Sequence, residues 1–195
     1  MKLDPYPIVG PWDAGFTLEV HTLGAEFLGY DLEGRPKFET VRSELGEKLY
    51  RLKYKGERSA SVDLAAAAAD FLRSRRLLVE VVVPVPPSRP RPFQPLLAIA
   101  RNLARNLEIE YDLRSLVKVK ETPELKRVEE MAEREAALKD AFDVQGNTLA
   151  GRHVLLLDDL YRSGASMKEA ARTVRLRGRP ASLAVLALTR TRSKA

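Results

Sequence analysis

The stretch that most constrains this chain is residues 152–178, RHVLLLDDLYRSGASMKEAARTVRLRG. It opens on His153-Val154-Leu155-Leu156-Leu157, an apolar run too continuous for a half-exposed strand. Such a run reads as a buried parallel strand. Asp158 and Asp159 stop it, and Tyr161-Arg162-Ser163-Gly164-Ala165-Ser166 follows as a loop of small and hydroxyl-bearing residues. Met167, Ala170, Ala171 and Val174 then recur at i, i+3, i+4 and i+7, the buried stripe of an amphipathic helix. Arg175, Arg177 and Gly178 close it as cationic last-turn residues and a C-cap glycine. The order is strand, acidic pair, small-residue loop, helix.

That order has chemical consequences. The first N–H groups of a helix are unpaired and carry the positive end of its dipole, so they suit a phosphate dianion. Gly164 lets backbone come close to such a group, and the hydroxyls of Ser163 and Ser166 can donate to it. Asp158 and Asp159 stand at the strand's carboxyl end, where open α/β sheets bind ligands. Carboxylates only accept, so they suit ribose hydroxyls or a divalent cation and not the phosphate. A phosphate cradle beside a diol acceptor is a ribose-5-phosphate site. Two other readings stay open. The acids can serve only to cap the next helix, or can belong to a receiver-like acidic pocket. The latter needs a further phospho-acceptor Asp and a late Lys, neither of which can be placed here.

LLLDDLYRSGAS resembles the phosphoribosyl-pyrophosphate motif of the type I phosphoribosyltransferases, and the wider pattern is similar to their ComF-like, competence-related branch. The resemblance runs from about Gly15 to Thr189, with residues 154–166 its specific part. It implies a type I phosphoribosyltransferase-like (Rossmann-like) α/β fold, a parallel sheet flanked by helices, with a hood-like N-terminal lobe. It also implies Mg²⁺-dependent binding of phosphoribosyl pyrophosphate, or of a nucleoside 5′-monophosphate, and transfer of the phosphoribosyl group to a base or other nucleophile. Asp158 and Asp159 would hold the ribose diol, with Mg²⁺ carried mainly by the ligand and in part by these acids. Tyr161, Arg162, Ser163, Gly164, Ala165 and Ser166 would hold the 5-phosphate. Pro87, Ser88, Arg89 and Arg91, in the Pro-rich segment after residue 85, would contact pyrophosphate. Thr122, Lys126 and Arg134 would belong to a flap over the reacting centre. Departures are visible as well: Arg162 replaces a usual Thr or small residue, Leu125 a Gln and Ala137 an Asn. They favour a rival expectation, a non-catalytic accessory protein of DNA uptake or nucleotide sensing.

The rest of the chain reads around this centre. Residues 1–76 are expected to form an α+β lobe and residues 77–195 the α/β core. Gly15–His21 alternates as a strand, a hairpin turns at Leu32-Glu33-Gly34-Arg35, and Val41, Leu45, Leu49 and Leu52 share a helix face ending near Gly56. Leu52-Lys53-Tyr54-Lys55-Gly56-Glu57-Arg58 is either a helix end with favourable cations or a counterpart of a ComF-like segment. Leu77–Val85, Leu116–Val119 and Leu183–Leu188 read as core strands, and 128–138 as a charged helix.

With no cysteine, thiol nucleophiles, disulfides and thiolate metal sites are excluded, and His21 and His153 stand too far apart in sequence to suggest a histidine metal site. No window approaches a membrane span and no signal peptide is visible, so a cytoplasmic location is expected. The net charge of +6, with six arginines between Arg172 and Arg192 and no aromatic platform nearby, predicts at most weak, salt-sensitive DNA binding. A homodimer is compatible with the resemblance but is not fixed by the sequence.

Overall fold

The computed structural model describes residues 3–31, 33–87, 92–120 and 136–192. In chain order the strands and helices are β1 (Tyr6–Pro7), β2 (Ala14–Val20), β3 (Thr22–Tyr30), β4 (Pro36–Arg42), α1 (Glu44–Tyr50), α2 (Ala60–Ser74), β5 (Val81–Pro84) and α3 (Pro95–Leu107). They continue with β6 (Glu110–Tyr111), β7 (Leu116–Lys118), β8 (Phe142–Val144), β9 (His153–Tyr161), α4 (Ala165–Thr173) and β10 (Ser182–Arg190). π-helical turns extend α1 over Arg51–Lys55 and α4 over Val174–Gly178.

The central sheet has the order β1-β2-β10-β9-β5-β6, all parallel except the short edge strand β1. Its middle is β9, buried because successive side chains alternate between two covered faces. Leu155 and Leu157 pack with Val82, Leu186 and Leu188 beneath α1, α2 and α3. Val154 and Leu156 pack with Val81, Val83, Leu183 and Val185 beneath α4 and the β7–β8 ribbon. Three layers result, helices–sheet–helices, and the continuous apolar run of β9 is what a strand between two such layers requires.

Several expectations are corrected. The strand expected at Gly15–His21 is β2, and it lies inside the central sheet, parallel to β10, with Phe16 opposite Leu186. The run Leu77–Val85 is a strand only over Val81–Pro84, because Arg76 turns the chain at φ 52° and Leu78 faces solvent. Leu116–Lys118 does not enter the central sheet. It pairs antiparallel with β8 in a separate ribbon, since only Leu116 has a buried side to offer. Val41 ends β4 rather than beginning a helix, and α1 starts at Glu44 under a Ser43 cap. The β3–β4 hairpin turns where expected and leaves Phe27, Tyr30 and Phe38 clustered and exposed. Of the charged helix expected at 128–138, all but the turn at 136–138 lies outside the described residues. None of the helices, among the described residues, is long and apolar enough to cross a membrane.

Candidate functional site

Because β2, β10, β9 and β5 are parallel, their carboxyl ends open on one edge of the sheet. That edge gathers His21, which follows β2, the end of β5 at Pro84, the acidic pair of β9, and Thr189 and Arg190 of β10. Pro84 lies opposite Leu157, so the segment that begins Val85-Pro86-Pro87 leaves the sheet next to Asp158. Pro87 is exposed there. Ser88, Arg89 and Arg91 lie outside the described residues, as do Thr122, Leu125, Lys126 and Arg134; Ala137 is partly buried in a helical turn.

The acids do not stop β9, as the sequence suggested. The strand runs on through Tyr161, in unbroken register with β10 up to Arg190. Alternation therefore sends the two carboxylates to opposite faces. Asp159 shares the side of Leu155 and Leu157, under the α1–α3 layer, while Asp158 shares the side of Leu156, toward α4.

Their surroundings differ accordingly. Oδ2 of Asp159 is 2.7 Å from Nζ of Lys53, both side chains being about one-fifth exposed. Among the described residues Asp158 has no such cation. Its Oδ1 accepts from the backbone N–H of Asp159 at 2.8 Å. Burial, and next the charge of Asp159, push the Asp158 carboxyl up to about 7, against the weaker opposing effects of that hydrogen bond and of Lys53.

Two residues that sequence reasoning left aside thus stand at the site. The sequence offers Lys53 only within Leu52–Arg58, as part of either a helix end with favourable cations or a counterpart of a ComF-like segment, and not as a partner of the acids. His21 was set aside as isolated, yet its Nδ1 lies 3.1 Å from Oγ1 of Thr189, and that hydroxyl donates to the backbone carbonyl of Asp159 at 3.0 Å. A hydroxyl has one proton, so Thr189 must accept from His21, which fixes the proton on Nδ1 and leaves Nε2 as an acceptor. Burial, then the charges of Lys53 and Arg42, hold His21 below its ordinary value and keep it neutral at pH 7.

Beyond β9 the loop is shorter than the sequence suggested, Arg162–Gly164, because Tyr161 still belongs to the strand and Ala165 already to the helix. Gly164, at φ 78°, is the N-cap of α4 and has no side chain to offer the first N–H groups of that helix. Ser163 and Ser166 are partly buried, Ala165 is buried and Arg162 is exposed. The carbonyl of Arg162 accepts from Oγ1 of Thr191, which ties the loop to the end of β10. Tyr161 lies across the glycine, and a Cβ at 164 would collide with its hydroxyl. The Gly164→Ala substitution should therefore cost about 1–2 kcal/mol in left-handed backbone strain alone and displace Tyr161. Thermal melts should show the loss, and calorimetry should show at least tenfold weaker binding of inorganic phosphate. Unchanged phosphate affinity would mean that the anion binds elsewhere.

Mg²⁺ wants an octahedron of oxygens at about 2.0–2.1 Å. Among the described residues no group of three or more His, Cys, Asp or Glu side chains could hold a metal ion. Asp158 and Asp159 leave the strand on opposite faces, and the second already holds an ammonium. With Lys53 in place, this donor set does not fit a resident Mg²⁺.

The C-terminal arginines offer less to nucleic acid than their number suggests. Arg172 pairs with Asp140 and Glu169, Arg175 with Asp13 and Arg177 with Asp143.

No family model matches the chain, and no curated protein matches it. Among solved structures it is similar to an adenine phosphoribosyltransferase, at 16% identity over 86% of each chain with a TM-score of 0.45. The hypoxanthine phosphoribosyl transferase of Trypanosoma cruzi aligns at 15% identity over 76% of this chain and 70% of that one, with a TM-score of 0.44. The glutamine phosphoribosylpyrophosphate amidotransferase of B. subtilis, complexed with ADP and GMP, aligns at 17% identity over 80% of this chain and 34% of its own, with a TM-score of 0.48. Similarity at these values says nothing about what this chain binds.

Proposed function

We propose that the chain binds phosphoribosyl pyrophosphate, or a nucleoside 5′-monophosphate, at the carboxyl edge of the central sheet, and transfers the phosphoribosyl group to a nucleophile. The observation that carries this is the sequence of groups at the end of β9: two acceptors, Asp158 and Asp159, followed directly by a helix start uncapped by side chains at Gly164. The 5-phosphate would lie on the backbone of residues 162–166, and the ribose would lie across the end of the strand, one hydroxyl donating to Asp158 on the α4 face and the other to Asp159 on the opposite face. Pyrophosphate would extend toward the Pro87–Arg91 segment, whose arginines are the right chemistry for it. Thr122, Lys126 and Arg134 are proposed to close over it.

In the transfer the bond from the anomeric carbon to pyrophosphate breaks as the bond to the incoming nucleophile forms, through an oxocarbenium-like state. No side-chain nucleophile is required. The chain's part is to orient the ribose and to stabilise the departing anion with donors and cations. Mg²⁺ would come bound to the ligand's own oxygens. The ComF-like affiliation belongs to the same proposal.

Calorimetry with phosphoribosyl pyrophosphate and Mg²⁺ tests binding, and pyrophosphate release on adding candidate bases tests transfer. Ligand at a hundred times its dissociation constant should stabilise the fold by about 2.7 kcal/mol. A melting temperature indifferent to millimolar ligand, together with no heat of binding, would sink the proposal. Binding without any pyrophosphate release would reduce it to ligand recognition, as expected of a non-catalytic accessory.

A further inference from the structure

Lys53 occupies the place on Asp159 that a cation would take. Its ammonium lies 2.7 Å from Oδ2, with 19% of the lysine side chain and 20% of the aspartate side chain exposed. The lysine is held there by its own segment. It lies in the π-helical turn Arg51–Lys55, which Gly56 ends at φ 71° with its N–H on the carbonyl of Arg51. Leu52, its neighbour, is fully buried in the core between α1, α2 and the sheet. An exposed lysine pair contributes little, because a long stem must be ordered and water screens the charges. Here the stem is already packed and the charges are largely out of water.

We propose that Lys53 is the resident counter-ion of this site and excludes free divalent cations from Asp159, so that a metal ion enters only together with a phosphorylated ligand whose oxygens carry it. A divalent ion arriving alone must displace the ammonium or sit beside it against like-charge repulsion. A metal–polyphosphate complex arrives with net negative charge, and the three ammonium protons can then turn to phosphate oxygens. The inference rests on the proposed function for the identity of the ligand; the exclusion of free metal does not depend on it.

The test is a titration of the full chain with Mn²⁺ alone, read by electron paramagnetic resonance as loss of free-ion signal. The wild type should show no site tighter than millimolar. Lys53→Met should gain one at least tenfold tighter, and Lys53→Met with Asp159→Asn should lose it again. Lys53→Arg should match the wild type. Sub-millimolar Mn²⁺ binding by the wild type that Asp159→Asn removes would overturn the proposal without any change at Lys53. So would a Lys53→Met variant that melts cooperatively and binds Mn²⁺ no better than the wild type. With the Mn²⁺ pattern as expected, a chain that ignores phosphoribosyl pyrophosphate would overturn the ligand assignment and leave the exclusion standing.

Discussion

Asp159→Asn should weaken phosphoribosyl pyrophosphate binding ten- to a hundred-fold and, unlike Asp158→Asn, should lower the melting temperature. The affinity loss follows from replacing a carboxylate by an amide of the same shape. A hydrogen bond to a charged acceptor contributes about 1.5–3 kcal/mol, and each 1.4 kcal/mol is about a factor of ten. The stability loss follows from the partner across the interface. Lys53 is four-fifths buried against Asp159, and an Asn leaves its ammonium only a neutral acceptor. Removing one partner of a fully buried pair costs roughly 3–5 kcal/mol; with one-fifth of each side chain exposed, about 1–3 kcal/mol is expected here. In a chain of this size that is a fall of roughly 3–10 °C. Melts and calorimetry on the two single variants check both halves. Equal melting behaviour of Asp158→Asn and Asp159→Asn would show that Lys53 does not distinguish the acids. Unchanged affinity in Asp159→Asn would remove the acid from the site altogether.

That asymmetry was not legible in the sequence, whereas the frame around it was. A strand buried on both faces must be apolar throughout, so Val154–Leu157 announced β9 and its place in the middle of the sheet. The small-residue loop announced that a helix follows, though α4 begins earlier, at Ala165, directly after a left-handed Gly164 that lies against Tyr161 with no room for a Cβ. What failed were features set by partners far along the chain. Asp158 and Asp159 look like the end of a strand because they are charged, yet β10 supplies ladder partners up to Arg190. His21 joins the site only because β2 pairs with a strand more than 160 residues away, and Lys53 only because α1 packs on the same face. The C-terminal arginines looked like a basic field, since nothing local shows that Asp140, Asp13 and Asp143 pair with three of them, Arg172, Arg175 and Arg177.

The pH dependence of stability should single out Asp158. Its carboxyl, ordinarily at 3.8, is raised to about 7 in the folded chain by burial and by Asp159. Between those values the folded state keeps a proton that the unfolded state has released, so stability falls as pH rises through the window. The contribution is complete below the unfolded value and is lost once the folded value is passed. His21 acts with the opposite sign. Its folded value is held below 6.5, so it favours the folded state as pH rises past that point. The carboxylates held low, Asp13, Asp112, Asp143 and Glu169, act below their ordinary values and leave the neutral range alone. Comparing the wild type with Asp158→Asn cancels these other groups. The Asn can still accept from the N–H of residue 159, so the hydrogen bond survives while the titration does not. The two proteins should melt alike at pH 4, and the variant should melt higher at pH 8. Parallel melting curves from pH 4 to pH 8 would mean that Asp158 ionises as an ordinary surface carboxylate. The sheet edge would then not hold the desolvated acid described here.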